Sequence, residues 1–167
     1  MDAPHIAIPA ESVSRNAETP QAHSPAKAKI ERLQTRPQFQ VALAGKTVSK
    51  TAHFALHRAP LPVAEAAPEG GFSRPLFRTE GVWLGAMVPK RWAKRAVTRN
   101  AIKRQIYAIS AEFTPRLQAQ AHVVRLRSSF DPRQFISARS EVLRCAVRAE
   151  LLTLFESACP PAGKGRP

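Results

Sequence analysis

Two short apolar runs, VWLGAMV at 82–88 and HVVRLR at 122–127, flank a stretch whose apolar residues recur at helical spacing, and nothing in the chain constrains its fold more. The first run is stopped by Pro89 and is too short for a core helix, so it reads as a buried strand. The second reads the same way. Between them, on a wheel of 100° per residue with Ile102 at zero, Ile106, Ile109 and Phe113 fall at about 40°, −20° and 20°. That narrow stripe predicts a helix over about 95–113 lying against the sheet.

The flanking sequence supplies further elements. Pro37 at a helix start and Gly45 at a stop predict a short helix over 37–44. Val48, Phe54 and Leu56 alternate enough to suggest a strand over about 50–58. Four prolines and three glycines then make the 59–81 region an extended connection. A turn around Pro132 leads to a long final helix at about 138–157, where Leu143, Val147, Leu151 and Leu154 repeat at helical spacing. Trp83 reads as a packing residue. The order is helix, strand, connection, strand, helix, strand, helix, with no internal repeats. It predicts an α+β domain over 30–158, one small and mostly antiparallel sheet packed with helices. Residues 1–29 and 159–167 read by composition as disordered tails.

Charge narrows the partners. Lys and Arg number 26 against 12 Asp and Glu, a formal charge of +14 with a pI near 11.2. Residues 1–29 are close to neutral, so the surplus belongs to the folded part. Nucleic acid is the leading partner, since each cation placed on a phosphate releases counterions; an anionic membrane surface is the competitor. No run of 18 apolar residues exists to span a membrane. The N-terminal stretch lacks a signal-like apolar region, which points to a cytoplasmic location. Cys145 and Cys159 are too few for a disulfide framework or a four-ligand zinc site, and Cys145 reads as a small core residue. His53 and His57 are four apart on a strand pattern, where a metal would not bridge them.

The basic segment KRWAKRAVTRNAIKRQIY, 90–107, is the most informative stretch. Seven cations and no acid lie between Lys90 and Arg104. On the same wheel Arg99, Lys103, Tyr107, Asn100 and Arg104 fall at about 60°, 100°, 140°, 160° and 200°, a continuous polar arc. A solvated face normally mixes signs, and cations near a helix start oppose its dipole. An external polyanion offsets both costs. Lys90, Arg91, Lys94 and Arg95 precede the helix in a loop that extends the grip. No second short helix and turn flanks it, so groove reading of DNA is poorly supported, and an arc this wide suits a folded RNA backbone at least as well.

The run Arg99-Asn100, then Ile102-Lys103-Arg104, resembles the signature of the protein subunit of bacterial ribonuclease P. The preceding LGAMVPKRWAKRAVTRN and an early segment with Arg32-Leu33 and Phe39-Gln40 agree with it, and the resemblance covers about residues 31–157. Ala101 and Tyr107 depart from the family pattern, each removing a cation. The resemblance implies an α+β fold related to a ribosomal-protein domain, with a left-handed βαβ crossover around the signature helix. It also implies a monomeric protein in a 1:1 complex with a catalytic RNA. That RNA holds Mg2+ and removes the 5′ leader of precursor tRNA, while the protein has no catalytic residue of its own. RNA contacts would come from Lys90, Arg91, Lys94, Arg95, Arg99, Asn100, Lys103 and Arg104. Phe39, Phe54, Lys50 and His57 would line the cleft for the leader, where aromatic stacking contributes about 1–3 kcal/mol per base. The sequence itself shows no paired carboxylates, activated nucleophile or metal cluster. Two rivals are a non-enzymatic ribosome-associated or general structured-RNA-binding protein and a DNA-binding regulator.

Overall fold

A computed structural model describes residues 29–62, 75–131, 133 and 140–159. Its elements run β1 (Ile30–Arg32), α1 (Arg36–Ala44), β2 (Lys46–Lys50), β3 (Phe54–Ala59), β4 (Val82–Met87), α2 (Ala96–Glu112), a short 3-10 turn (Thr114–Arg116), β5 (Ala121–Leu126) and α3 (Glu141–Ala158). The strands form one sheet in the order β1-β4-β5-β3-β2. Pairings β1–β4 and β4–β5 are parallel, β5–β3 and β3–β2 antiparallel. The sheet is therefore evenly mixed and not mostly antiparallel. The parallel half comes from β4–α2–β5, a crossover between neighbouring strands, and from a β1 too short to show in the sequence pattern.

Two sequence-based boundaries change. The strand expected at 50–58 is a hairpin: β2 ends at Lys50 and β3 begins at Phe54. Residues 51–53 make the turn, fastened by Arg127 N donating to the His53 carbonyl at 2.8 Å and Ser128 Oγ to that of Ala52 at 2.9 Å. The final helix starts at Glu141, where the Ser140 hydroxyl accepts from Leu143 N at 3.0 Å. The expected tails, apart from Lys29 and Cys159, and the 63–74 part of the expected connection lie outside the described residues.

Strand alternation splits the core in two. On one face Phe54, Leu56, Leu84, Val124 and Leu126 pack under α2 and α3, meeting Ile102, Ile106, Ile109, Phe113, Leu143, Val147, Leu151, Leu154 and Phe155. Each fully buried Ile or Leu here contributes about 1.5–3 kcal/mol. On the other face Trp83, Ala121 and Val123 lie with Leu33 and Ala42, and α1 covers only part of it. Cys145 is exposed on α3, contrary to its reading as a core residue; Cys159 is the buried one, past the helix end. A heptad-like reading of α3 places position 145 off the stripe that Leu143 and Val147 occupy.

Polar groups fasten the helices to the sheet. The Gln38 side chain accepts from Gln34 N at 2.8 Å and Thr35 N at 3.1 Å, and donates to the Leu76 carbonyl at 2.8 Å. It thereby ties the start of α1 to the described end of the connection. Phe77 meets Trp83 edge-on at 5.3 Å, and the Trp83 indole N–H donates to Thr79 O. Opposite, Glu150 of α3 accepts from His53 N at 3.0 Å and pairs with the His53 ring. Burial pushes the Glu150 carboxyl up, but the His53 amide and ring and the Thr51 hydroxyl outweigh it and hold the group below its usual range.

Gly85 decides how closely α1 approaches. A Cβ there would stand 2.5 Å from Phe39 Cε1 and 2.9 Å from Leu33 Cδ1. Replacing Gly85 with Ala is expected to displace Phe39 and destabilise the fold by about 1–3 kcal/mol. Urea unfolding measures this, and a variant as stable as the parent would show that α1 is not seated against Gly85.

Candidate nucleic-acid interface

The basic surface is built from the loop leaving β4 and the outer side of α2. Pro89 turns the chain, its carbonyl accepting from Trp92 N at 3.1 Å and Ala93 N at 3.2 Å. Ala93 is buried and Trp92 packs against the core, so the intervening cations face outward: Lys90, Arg91, Lys94 and Arg95 are all exposed. The first turn of α2 has no acidic residue and no side-chain cap. Its free N–H groups and the loop cations together favour an anion there.

Along α2, Asn100, Lys103 and Arg104 are exposed while Ile102, Ile106 and Ile109 are buried, as the wheel requires. Arg99 differs from its neighbours. Its Nη1 donates to the carbonyls of Ala93 at 3.1 Å and Lys94 at 2.7 Å, so the guanidinium clips the basic loop to the helix start. Ala101 does not interrupt the exposed arc. It lines a separate groove between α2 and α3 with Ile102, Leu143 and Val147.

Arg32, absent from the sequence-based site, joins Tyr107, which the wheel already sets on the arc. Arg32, at the end of β1, holds its guanidinium 4.2 Å from the Tyr107 ring centroid. With Asn100, Lys103, Arg104 and Ala108 they enclose an open hollow of about 610 Å3. No carboxylate among the described residues lies within ion-pair distance of Arg32, Lys103 or Arg104.

The second surface is the part of the sheet that α1 leaves uncovered. Cross-strand register sets one row as Gly85, Val123, His57 and Thr47, and the next as Met87, Arg125, Ala55 and Lys50. Directly opposed residues share a face, so Lys50, His57 and Arg125 gather beside the half-buried Phe39, whose ring lies on Gly85. Thr47 Oγ1 sits 3.3 Å from His57 Nδ1. Burial first, then the charges of Arg125 and Lys50, push the His57 pKa below its usual value. Arg125 Nε is buried with no hydrogen-bond partner, and no sequence signal singled this residue out.

Phe54 does not belong to this cleft. It is fully buried on the opposite face, paired with Leu126 and tilted against Phe130 at 6.0 Å. It and His57 are three apart on one strand, and odd spacing sends their side chains to opposite faces. No group of three or more His, Cys, Asp or Glu among the described residues could hold a metal ion.

The chain matches a protein-family model described as Ribonuclease P over residues 28–150. It is 34% identical over 127 residues to the ribonuclease P protein component of Bordetella parapertussis, covering 74% of this chain and 92% of that one. The Ralstonia pickettii protein of the same description is 40% identical over 78 residues, 47% of this chain and 54% of the relative. In structure it resembles the RNase P protein of Staphylococcus aureus, with a TM-score of 0.53 at 19% identity, covering 78% of this chain and 96% of that one.

Arg99→Ala is expected to remove a charge-assisted clip worth about 1.5–3 kcal/mol and so speed amide exchange in the 90–95 loop by about tenfold or more. Lys103→Ala should leave that exchange unchanged. Hydrogen-exchange mass spectrometry separates the two, and equal protection in both variants would refute the clip.

Proposed function

Because the chain belongs to the ribonuclease P family, as a protein component of the endoribonuclease that matures tRNA 5′ ends, we propose that it divides two surfaces between the RNA subunit and the substrate. The arc of Asn100, Lys103 and Arg104, with the loop of Lys90, Arg91, Lys94 and Arg95, takes phosphates of the RNA subunit in a 1:1 complex. The cleft of Phe39, Lys50, His57 and Arg125 takes the single-stranded 5′ leader of precursor tRNA. The observation that carries this reading is the chain's acid-free stretch from Gly81 to Ala111, in which six of seven cations are exposed, Lys103 and Arg104 turned outward by the buried isoleucine stripe of α2.

Each surface suits its assigned strand for a physical reason. The arc offers point charges and guanidinium forks with no internal carboxylate to compete, which suits a phosphate backbone whatever its sequence. The cleft mixes an aromatic ring with cations, the combination that stacks unpaired bases while neutralising their phosphates. A substrate leader differs in sequence from one tRNA precursor to another, and stacking tolerates that. In this reading Mg2+ and the hydrolysis belong to the RNA. The protein lowers the electrostatic cost of bringing two polyanions together. No helix among the described residues is long and apolar enough to cross a membrane.

Mixing the protein with its cognate RNA subunit is expected to stimulate leader removal at low magnesium in a salt-dependent way. Phe39→Ala should raise KM for leader-bearing precursor by about tenfold, in keeping with one lost base stack. Absence of stimulation, or a preference for ribosomal RNA over the RNA subunit in direct competition, would overturn the reading.

His57 adds a pH signature. In the free protein burial, Arg125 and Lys50 disfavour its charged form. A bound phosphate would reverse the last two influences and raise its pKa, so leader binding takes up a proton. Leader affinity should therefore strengthen as pH falls from neutrality through the window between the free and bound pKa values. A pH series of KM for wild type and His57→Ala checks it; identical profiles would remove His57 from the cleft.

A further inference from the structure

Arg32 owes its position to a three-residue strand. Ile30 pairs with Val82 and Arg32 with Leu84, and Leu33 N donates to Leu84 O at 3.0 Å, which fixes β1 at the sheet edge beside α2. From there the guanidinium reaches the Tyr107 ring and stops 4.2 Å from its centroid. A cation over an aromatic face is attracted by the ring quadrupole, and here the contact also restricts a side chain that would otherwise sample many rotamers.

The surroundings leave Arg32 without a competing anion. Its neighbour Glu31 pairs with Lys29 at 3.3 Å, and Glu112 at the end of α2 pairs with Arg148 at 3.0 Å. Neither carboxylate is within ion-pair distance of Arg32. The hollow it borders brings together three cations, the Asn100 amide and the Tyr107 phenol, contributed by two elements some seventy residues apart in sequence. Such a set recognises adjacent phosphates of a folded polynucleotide, for which a planar fork held in advance is better suited than a mobile ammonium group.

We propose that Arg32, held in place by Tyr107, is a phosphate-gripping residue, and that the hollow it forms with Asn100, Lys103 and Arg104 seats consecutive phosphates of the RNA subunit. This rests on the reading of the basic arc given above and extends it to the sheet edge. Tyr107, which interrupts the run of cations along α2, is then the support that brings a cation in from another strand.

Affinity of the full chain for the RNA subunit, measured across a salt series, tests this. Arg32→Ala is expected to weaken binding about tenfold and to lower the salt slope by roughly 0.7–0.9 for one lost phosphate contact. Arg32→Lys should recover little, because it keeps the charge without the fork. Tyr107→Phe should bind as wild type and Tyr107→Leu more weakly, with no further loss when Tyr107→Leu is added to Arg32→Ala. Arg116 provides the control, since it also lies over an aromatic ring, that of Phe113 at 4.5 Å, but outside the hollow. Arg116→Ala should bind nearly as wild type. Wild-type affinity and slope in Arg32→Ala, or an equal loss in Arg116→Ala, would overturn the inference while leaving the functional reading standing. Wild-type protein that shows no salt-dependent binding to the RNA subunit would instead bring down the functional reading itself.

Discussion

The isoleucine stripe of α2 against β4 and β5 is the contact on which the rest depends. Ile102, Ile106 and Ile109 are all but absent from the surface, and their burial fixes the rotation of α2 about its axis. Once that rotation is set, the helical period leaves Asn100, Lys103 and Arg104 only one direction to point. The apolar contact, worth several kcal/mol in total, thus positions charges whose mutual repulsion alone would disfavour the helix. Arg99 then carries the constraint back to the loop, because its guanidinium holds two loop carbonyls while the helix holds its backbone.

The opposite face of the sheet obeys a different constraint. There the backbone at Gly85 leaves room for the Phe39 ring and nothing more, and α1 crosses β5 and β3 toward their Ala59–Ala121 end, leaving the other end of that pair open. Lys50, His57 and Arg125 lie in that opening because register places them across from small residues, Ala55 above all. Depression of the His57 pKa is the electrostatic signature of the arrangement, since burial and two nearby cations make a further positive charge unwelcome until an anion arrives. The two surfaces proposed to bind anions are thereby kept apart by the thickness of a sheet.

Legibility in the sequence followed element length and period. β4, β5, α2 and α3 each carried enough apolar residues in register for their type and inward face to be read, and the α2 wheel placed its exposed residues correctly. β1 did not, because three residues span less than two periods of alternation and its existence depends on pairing with β4. The hairpin was read as one strand since the turn at 51–53 contains no glycine or proline and is stabilised by the distant Arg127 and Ser128. Phe54 was assigned to the cleft by its resemblance to an aromatic position of the family, although odd spacing on a strand sends it and His57 to opposite faces. Arg125 and Arg32 were missed for a common reason: each gains its significance from neighbours that only sheet register or edge pairing brings near.

The buried and half-buried polar groups among the described residues are taken up by the fold. Gln38 serves the start of α1, and Glu150 is occupied by the His53 amide and ring. His122 gives one ring nitrogen to the Gln118 carbonyl and, by burial above all, is held to its neutral form. Of these groups only Glu150 has a titratable neighbour, His53, and that pair fastens α3 to the turn between β2 and β3. The surface proposed to meet RNA is cationic, with Arg99 and Arg32 held by neighbouring groups. On the proposed reading a scaffold of that kind changes the concentration and geometry of polyanions around it, and the rate it influences is that of a reaction whose reacting groups lie on other molecules.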